Sequence, residues 1–133
     1  AKRMAQMLRF GEIARTRLGT IALELARNAL VHGGGGHICL CGLYEAGRIG
    51  LEIEVRDDGP GIVDLKRALA DGYSTAGGLG QGLGAARRLS DVFEIESQPG
   101  AGTCVRTQLW REPADKGEYK SIVDRFCDRS PMR

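Results

Sequence analysis

Residues 49–61 read I-G-L-E-I-E-V-R-D-D-G-P-G. Ile49, Leu51, Ile53 and Val55 alternate with Gly50, Glu52, Glu54 and Arg56. Successive side chains on a strand point to opposite faces, so this period of two predicts one buried face and one wet face. An antiparallel sheet tolerates that asymmetry; a parallel sheet, covered on both sides, does not show it. Asp57 continues the odd-numbered series, which aims its carboxylate at the covered side. Gly59 and Gly61 follow at once and remove side chains from its surroundings. A buried carboxylate without a partner is costly, so Asp57 needs a donor. Two donors are open to it: the backbone of the following turn, or an amino group on a flat ligand ring.

Working outward, a strand over about His37–Tyr44 precedes, joined by the turn Glu45-Ala46-Gly47. A hairpin closes the globular part: Val92–Ser97, the turn Gln98-Pro99-Gly100-Ala101-Gly102, then Thr103–Trp110. Helical spacing marks residues 1–10, with Met4, Met7 and Leu8 on one face and Gly11 as the stop. A longer helix spans about Glu12–His32, with Leu18, Ile21, Ala22, Leu25 and Ala29 in one apolar stripe, and it ends in Gly33 to Gly36. A short helix carries Leu65, Ala68 and Leu69, and another covers about Leu83–Leu89. Helices and strands without strict β-α-β alternation predict an α/β fold. Its form is a two-layer α/β sandwich, a mostly antiparallel mixed sheet with helices on one face. Residues 1–111 form the expected domain. Residues 112–133 read as a polar tail or linker. The helical pattern starts at residue 1 without a cap, so an upstream part of the fold is expected.

The chain has 133 residues, room for one domain. Its 19 basic and 17 acidic side chains leave a net charge of +2, which excludes a polyanion binder driven by bulk charge. No nucleic-acid partner is expected. No apolar run approaches the roughly 18 residues of a membrane span, and no secretory signal opens the chain, so no membrane partner is expected either. Cys39, Cys41, Cys104 and Cys127 include no C-x-x-C pair, and the two histidines lack zinc spacing. Free thiols in a reducing cytoplasm are the expectation. Glycine is the outlier, 20 of 133 residues, about twice the usual share.

Two further clusters could carry chemistry. Glu24 and Asn28 lie four apart on the long helix, one turn above the other at the margin of its apolar stripe. Their oxygens suit a hard cation such as Mg²⁺, and the carboxylate could accept a proton. A solvated Glu and an Asn at a fraying helix end are the alternative. Gly77-Gly78-Leu79-Gly80-Gln81-Gly82-Leu83-Gly84 leads into a helix, and amides cleared of side chains there form an anion site. No P-loop lysine follows and no strand leads in, so neither the phosphate cradle of that motif nor a dinucleotide fingerprint applies. A flexible loop is the alternative.

In order, E-L-A-R-N (24–28), D-D-G-P-G-I (57–62), G-L-G-Q-G-L-G (78–84) and G-T (102–103) resemble the four nucleotide-binding boxes of the Bergerat-fold (GHKL) ATPases. D-G-Y-S-T-A-G-G-L-G-Q-G-L (71–83) and R-R-L-S-D-x-F-E-I (87–95) resemble the branch of small anti-sigma-factor and stressosome switch serine kinases. The likeness covers about residues 1–111. It implies a first strand upstream of residue 1 and one bound ATP or ADP with Mg²⁺. By resemblance Asp57 bonds the adenine amino group, Gly61 makes room for the ring, Gly59 and Ile62 also meet the nucleotide, and Thr103 closes the pocket. Asn28 would hold Mg²⁺ and the phosphates. Gly80, Gly82 and Leu83 would wrap the phosphates through their amides, with Gly78 and Leu79 beside them. His32 would flank the nucleotide, or be a packed or solvated helix-end residue. Glu24 would be the general base. The implied function is an ATP-dependent serine/threonine protein kinase of a bacterial partner-switching system, cytoplasmic, phosphorylating a serine on a STAS-type antagonist. A second partner, a sigma factor or a serine phosphatase, goes with it. The alternative is an ATP/ADP-binding anti-sigma factor or phosphatase-activating switch with little or no kinase activity.

Overall fold

Helix α1 (Lys2–Met7) is shorter than its apolar spacing predicts. The chain leaves the helix at Leu8 and Arg9, where Arg9 takes φ +61. Phe10 N–H then donates back to Ala5 O at 2.9 Å. This turn lets Leu8 and Phe10 join Met4 and Ala5 in the core, a gain that outweighs continuing the helix to Gly11. A computed structural model describes residues 2–62, 82–111 and 127–132 of the chain.

Helix α2 (Glu12–His32) runs where the sequence places it. Glu12 stands in its first turn, where an acidic side chain suits the unpaired amides. At the other end Gly33 and Gly35 N–H both donate to Ala29 O. Gly34 and Gly35 take φ +75 and +106, so the glycine run turns the chain sharply into β1 (Gly36–Glu45). Ala46 and Gly47, both at positive φ, make the two-residue turn into β2 (Arg48–Asp57). Helix α3 (Gly82–Leu89), β3 (Val92–Ser97), β4 (Thr103–Arg111) and β5 (Cys127–Met132) complete the described elements. The short helix expected around Leu65, Ala68 and Leu69, and the glycine-rich run up to Gln81, lie outside the described residues.

The sheet order is β3-β4-β2-β1-β5, and every pairing among the described residues is antiparallel. The central strand β2 buries Ile49, Leu51, Ile53 and Val55, as its alternation predicts. Against them pack Leu18, Ile21, Leu25 and Ala29 of α2, Leu83 and Ala86 of α3, and Val105 and Leu109 of β4. Fully burying one such aliphatic side chain is worth roughly 1.5–3 kcal/mol, so the helical layer and the sheet stabilise each other. The other face of the sheet is a ladder of charges. Arg106 lies 3.1 Å from Glu54, 3.5 Å from Glu94 and 3.7 Å from Glu52. Hydrogen bonds from Arg56 first, and from Arg106, hold the Glu54 carboxyl below the usual carboxylate range against the opposing effect of burial.

Two features depart from expectation at the far edge. Residues 127–132, expected within a polar tail or linker, pair with Gly36–Cys41 as β5. Cys39 and Cys104 are free thiols, but Cys41 is disulfide-bonded, which corrects the expectation of free thiols throughout. The reason is long-range pairing. The β1–β5 register sets Cys127 opposite Cys41, a juxtaposition that no local cysteine spacing reveals. Among the described residues no helix is long and apolar enough to cross a membrane.

Candidate nucleotide site

Asp57 is the last residue of β2 and keeps the strand's inward series, with 9% of its surface exposed. Its Oδ1 accepts a hydrogen bond from Gly59 N–H at 2.9 Å. Asp57 thus caps the following turn, and among the described residues this bond engages Oδ1 alone. Among the described residues no hydrogen bond engages Oδ2. Three glycines shape the space around the carboxyl. A Cβ on Gly33 would lie 2.6 Å from Oδ1, one on Gly59 would lie 2.5 Å from Gly33 Cα, and one on Gly102 would collide with Asp57 O. Side chains at these places would fill the cradle, and their absence suits a flat, amine-bearing ring.

Gly61 lies against the β3–β4 turn. It takes φ +77, and a Cβ there would collide with the backbone of Gln98. Its lack of a side chain lets the 59–62 loop lie on the β3–β4 turn, where Gly100 N–H donates to Pro60 O at 2.6 Å. Ser97 clamps the same junction. Its hydroxyl accepts from Ile62 N–H at 2.6 Å and lies 2.8 Å from Thr103 Oγ1. Thr103 is buried and is the direct register partner of Asp57. At these strand ends a cavity of about 250 Å³ is walled by Arg56, Glu96 and Cys104 of the outer face as well as by Asp57, Ser97 and Thr103, and among the described residues neither Gly33 nor Asn28 lines it. Ser97 and Gly33 were not singled out as site residues in the sequence. Gly33 carried a signal, the run of four glycines, whereas a serine at a strand end carries none.

Glu24 and Asn28 occupy the helix that ends at Gly33. Glu24 is 4% exposed and buried at the margin of the core, while Asn28 is half-buried. At about 1.5 Å per residue, Asn28 sits some 7–8 Å and Glu24 some 13–14 Å along the axis from Gly33. A ring anchored at Asp57 would therefore have the amide and the carboxylate in line beyond it, as an extended nucleotide requires. Among the described residues no three His, Cys, Asp or Glu side chains group as metal ligands. The donor set, one carboxamide and one carboxylate, is of the kind Mg²⁺ takes when phosphates and water complete its shell. His32 is exposed at the helix end. Gly82 opens α3 at φ +54, and the Leu83 side chain is buried in the core. Gly78, Leu79 and Gly80 lie outside the described residues.

Residues 13–113 match the family described as histidine kinase-, DNA gyrase B-, and HSP90-like ATPase. The chain is 39% identical over 109 residues to the serine/threonine-protein kinase RsbT of Bacillus subtilis, covering 82% of each chain. It is 33% identical over 86 residues to an anti-sigma F factor of Clostridium acetobutylicum, covering 60% of this chain and 59% of that one. It is 32% identical over 95 residues to an anti-sigma F factor of Heyndrickxia coagulans, covering 65% and 63%. The matched span runs from the first turn of α2 past the end of β4 and so holds the helix with Glu24 and Asn28, the Asp57 cradle and Thr103: the chain belongs to the histidine kinase-, DNA gyrase B- and HSP90-like ATPase family.

Proposed function

We propose that the protein is an ATP-dependent serine/threonine kinase of a bacterial partner-switching system, acting in the cytoplasm on a serine of a STAS-type antagonist. The observation that carries this is the buried Glu24 one helical turn before Asn28, on the helix that ends against Asp57. A nucleotide binder without chemistry has no need of a carboxylate there. The similarity to the kinase RsbT supports the same reading.

The residues divide the work. Asp57 Oδ2 accepts the adenine amino group, with Gly33 and Gly59 giving it access and Thr103 closing the pocket. Asn28 holds Mg²⁺ and the phosphates, joined by the amides around Gly82 and Leu83. ATP supplies the phosphoryl group: the bond from its γ-phosphorus to the bridging oxygen breaks as a bond to the serine oxygen forms, leaving ADP. Glu24 orients the serine hydroxyl and takes its proton. Leu23, Leu30 and Val31, each about half exposed on the same helix, suit a protein substrate better than a small one. Phosphorylation would add about −1.5 to −2 charges beside an acidic base and a nucleotide, so repulsion favours product release and frees the kinase for a second partner.

Labelled ATP incubated with a STAS-type antagonist tests the proposal. Transfer to the antagonist's serine is expected, and it should vanish when that serine becomes Ala. In parallel, Asp57→Asn should lose about ten- to a hundredfold in ATP affinity, as expected for roughly 1–3 kcal/mol of lost pairing. ATP binding without any transfer would favour the anti-sigma or phosphatase-activating switch, the reading that the two anti-sigma F factor relatives support.

A further inference from the structure

Glu24 presents a problem that the proposed division of work does not solve. A carboxylate this buried needs a partner that fixes it, and burial alone does not orient it toward a substrate. Among the described residues the partner is Arg27, whose Nη1 lies 3.6 Å from Glu24 Oε1. Arg27 is one-third exposed, so its guanidinium reaches from the rim of the helix to a carboxylate that is not itself at the surface. On a helical projection Arg27 falls about 60° to one side of Glu24 and Asn28 about 40° to the other. Side chains on a helix lean toward its N-terminus, which carries Arg27 back over the turn that holds Glu24. The carboxylate therefore stands between a carboxamide on the nucleotide side and a cation on the solvent side. Between Tyr73 and Ala86 the sequence has no Lys or Arg. The cation beside Glu24 comes from α2 itself, as Arg27.

We propose that Arg27 is a positioning residue for phosphoryl transfer: from the rim of α2 its guanidinium fixes the orientation in which the buried Glu24 carboxylate meets a substrate hydroxyl. This rests on Glu24 being the general base. An exposed ion pair would be worth little. This one differs because one member is buried, and removing the arginine leaves a buried carboxylate free to turn away. The contact is a single ion pair at 3.6 Å, so lysine, which keeps the charge on a differently shaped side chain, should restore part of the function.

The experiment is a double-mutant cycle on the whole chain with Mg·ATP and a STAS-type antagonist as phosphoacceptor. Single-turnover phosphotransfer, ATP affinity by titration calorimetry, and melting temperature are each measured. Arg27→Ala should slow transfer about 10- to 100-fold, leave ATP affinity within about twofold, and lower the melting temperature without unfolding the chain, since alanine suits the helix but the buried carboxylate loses its partner. Arg27→Lys should recover part of the rate. Glu24→Gln should be slow by itself, and adding Arg27→Ala to it should slow transfer no further. If Arg27→Ala weakens ATP binding as much as it slows transfer, Arg27 is a phosphate ligand and the proposal falls. Independent, multiplying losses in the double variant would also overturn it. If Glu24→Gln transfers at the parent rate, the base assignment fails instead, and that result is read from the single variant alone.

Discussion

Gly33 and Asp57 stand so close that a side chain on the first would overlap the carboxyl of the second. The C-terminus of the helix that carries Glu24 and Asn28 is thereby fixed against the residue at the foot of β2. The two halves of the proposed site meet at this contact. Gly33 itself has an ordinary backbone, φ −104 and ψ −6. Alanine there is excluded by space and not by conformation.

Gly33→Ala should accordingly push the Asp57 carboxyl out of place and reduce ATP affinity at least about tenfold, since overpacking costs roughly 1–3 kcal/mol. Gly34→Ala is the control. It has open space but a φ of +75, so it should lower stability and leave affinity nearly unchanged. Calorimetric titration with urea unfolding on both variants checks the contrast. Equal affinities in the two would remove Gly33 from the site.

Glu24 and Asn28 should separate by function. Glu24→Ala should keep most ATP affinity and lose turnover by about 10²–10⁴-fold, the usual contribution of general-base assistance. Asn28→Ala should weaken Mg²⁺-dependent ATP binding itself. Titrations with and without Mg²⁺, next to single-turnover rates, would show the division. A matching loss of binding in both variants would end it.

Ser97 should matter for the loop that follows Asp57. Its hydroxyl is the acceptor for Ile62 N–H, and no other acceptor for that amide is present among the described residues. Ser97→Ala should therefore cost about 1–3 kcal/mol of stability. Urea unfolding measures it, and an unchanged midpoint would show that the amide finds another partner.

The charge ladder on the outer face predicts a pH effect. Glu54 titrates below the ordinary carboxylate value of 4.5 because Arg56 and then Arg106 hydrogen-bond its charged form. Protons thus bind the unfolded chain more readily, so the stabilisation is present above that value and is lost as pH falls through the lower folded one. Both arginines are well exposed, so each pair should be worth about 0.2–1 kcal/mol and weaken with salt. Glu54→Gln should flatten that part of the acid limb in unfolding curves measured below pH 5. An unchanged limb would assign it to other carboxylates.

The alternation from Ile49 to Val55 by itself determined the central strand, its buried face and the inward aim of Asp57, because period two is a local property of the chain. The spacing of Leu18, Ile21, Leu25 and Ala29 likewise determined α2 to its ends, and Gly33 to Gly36 marked where it turns. These are rules that act within a few residues. Only the tertiary structure decided the rest. It set Thr103 opposite Asp57, seated Ser97 under Ile62, put Gly33 against the Asp57 carboxyl and brought residues 127–132 back beside β1, with Cys127 opposite Cys41. Each of these joins segments far apart in sequence through strand register or close backbone approach. Register and approach follow from how the whole core packs, and no window of the sequence contains that information. The early end of α1 has the same origin, since Leu8 and Phe10 leave the helix to reach a core that other elements build.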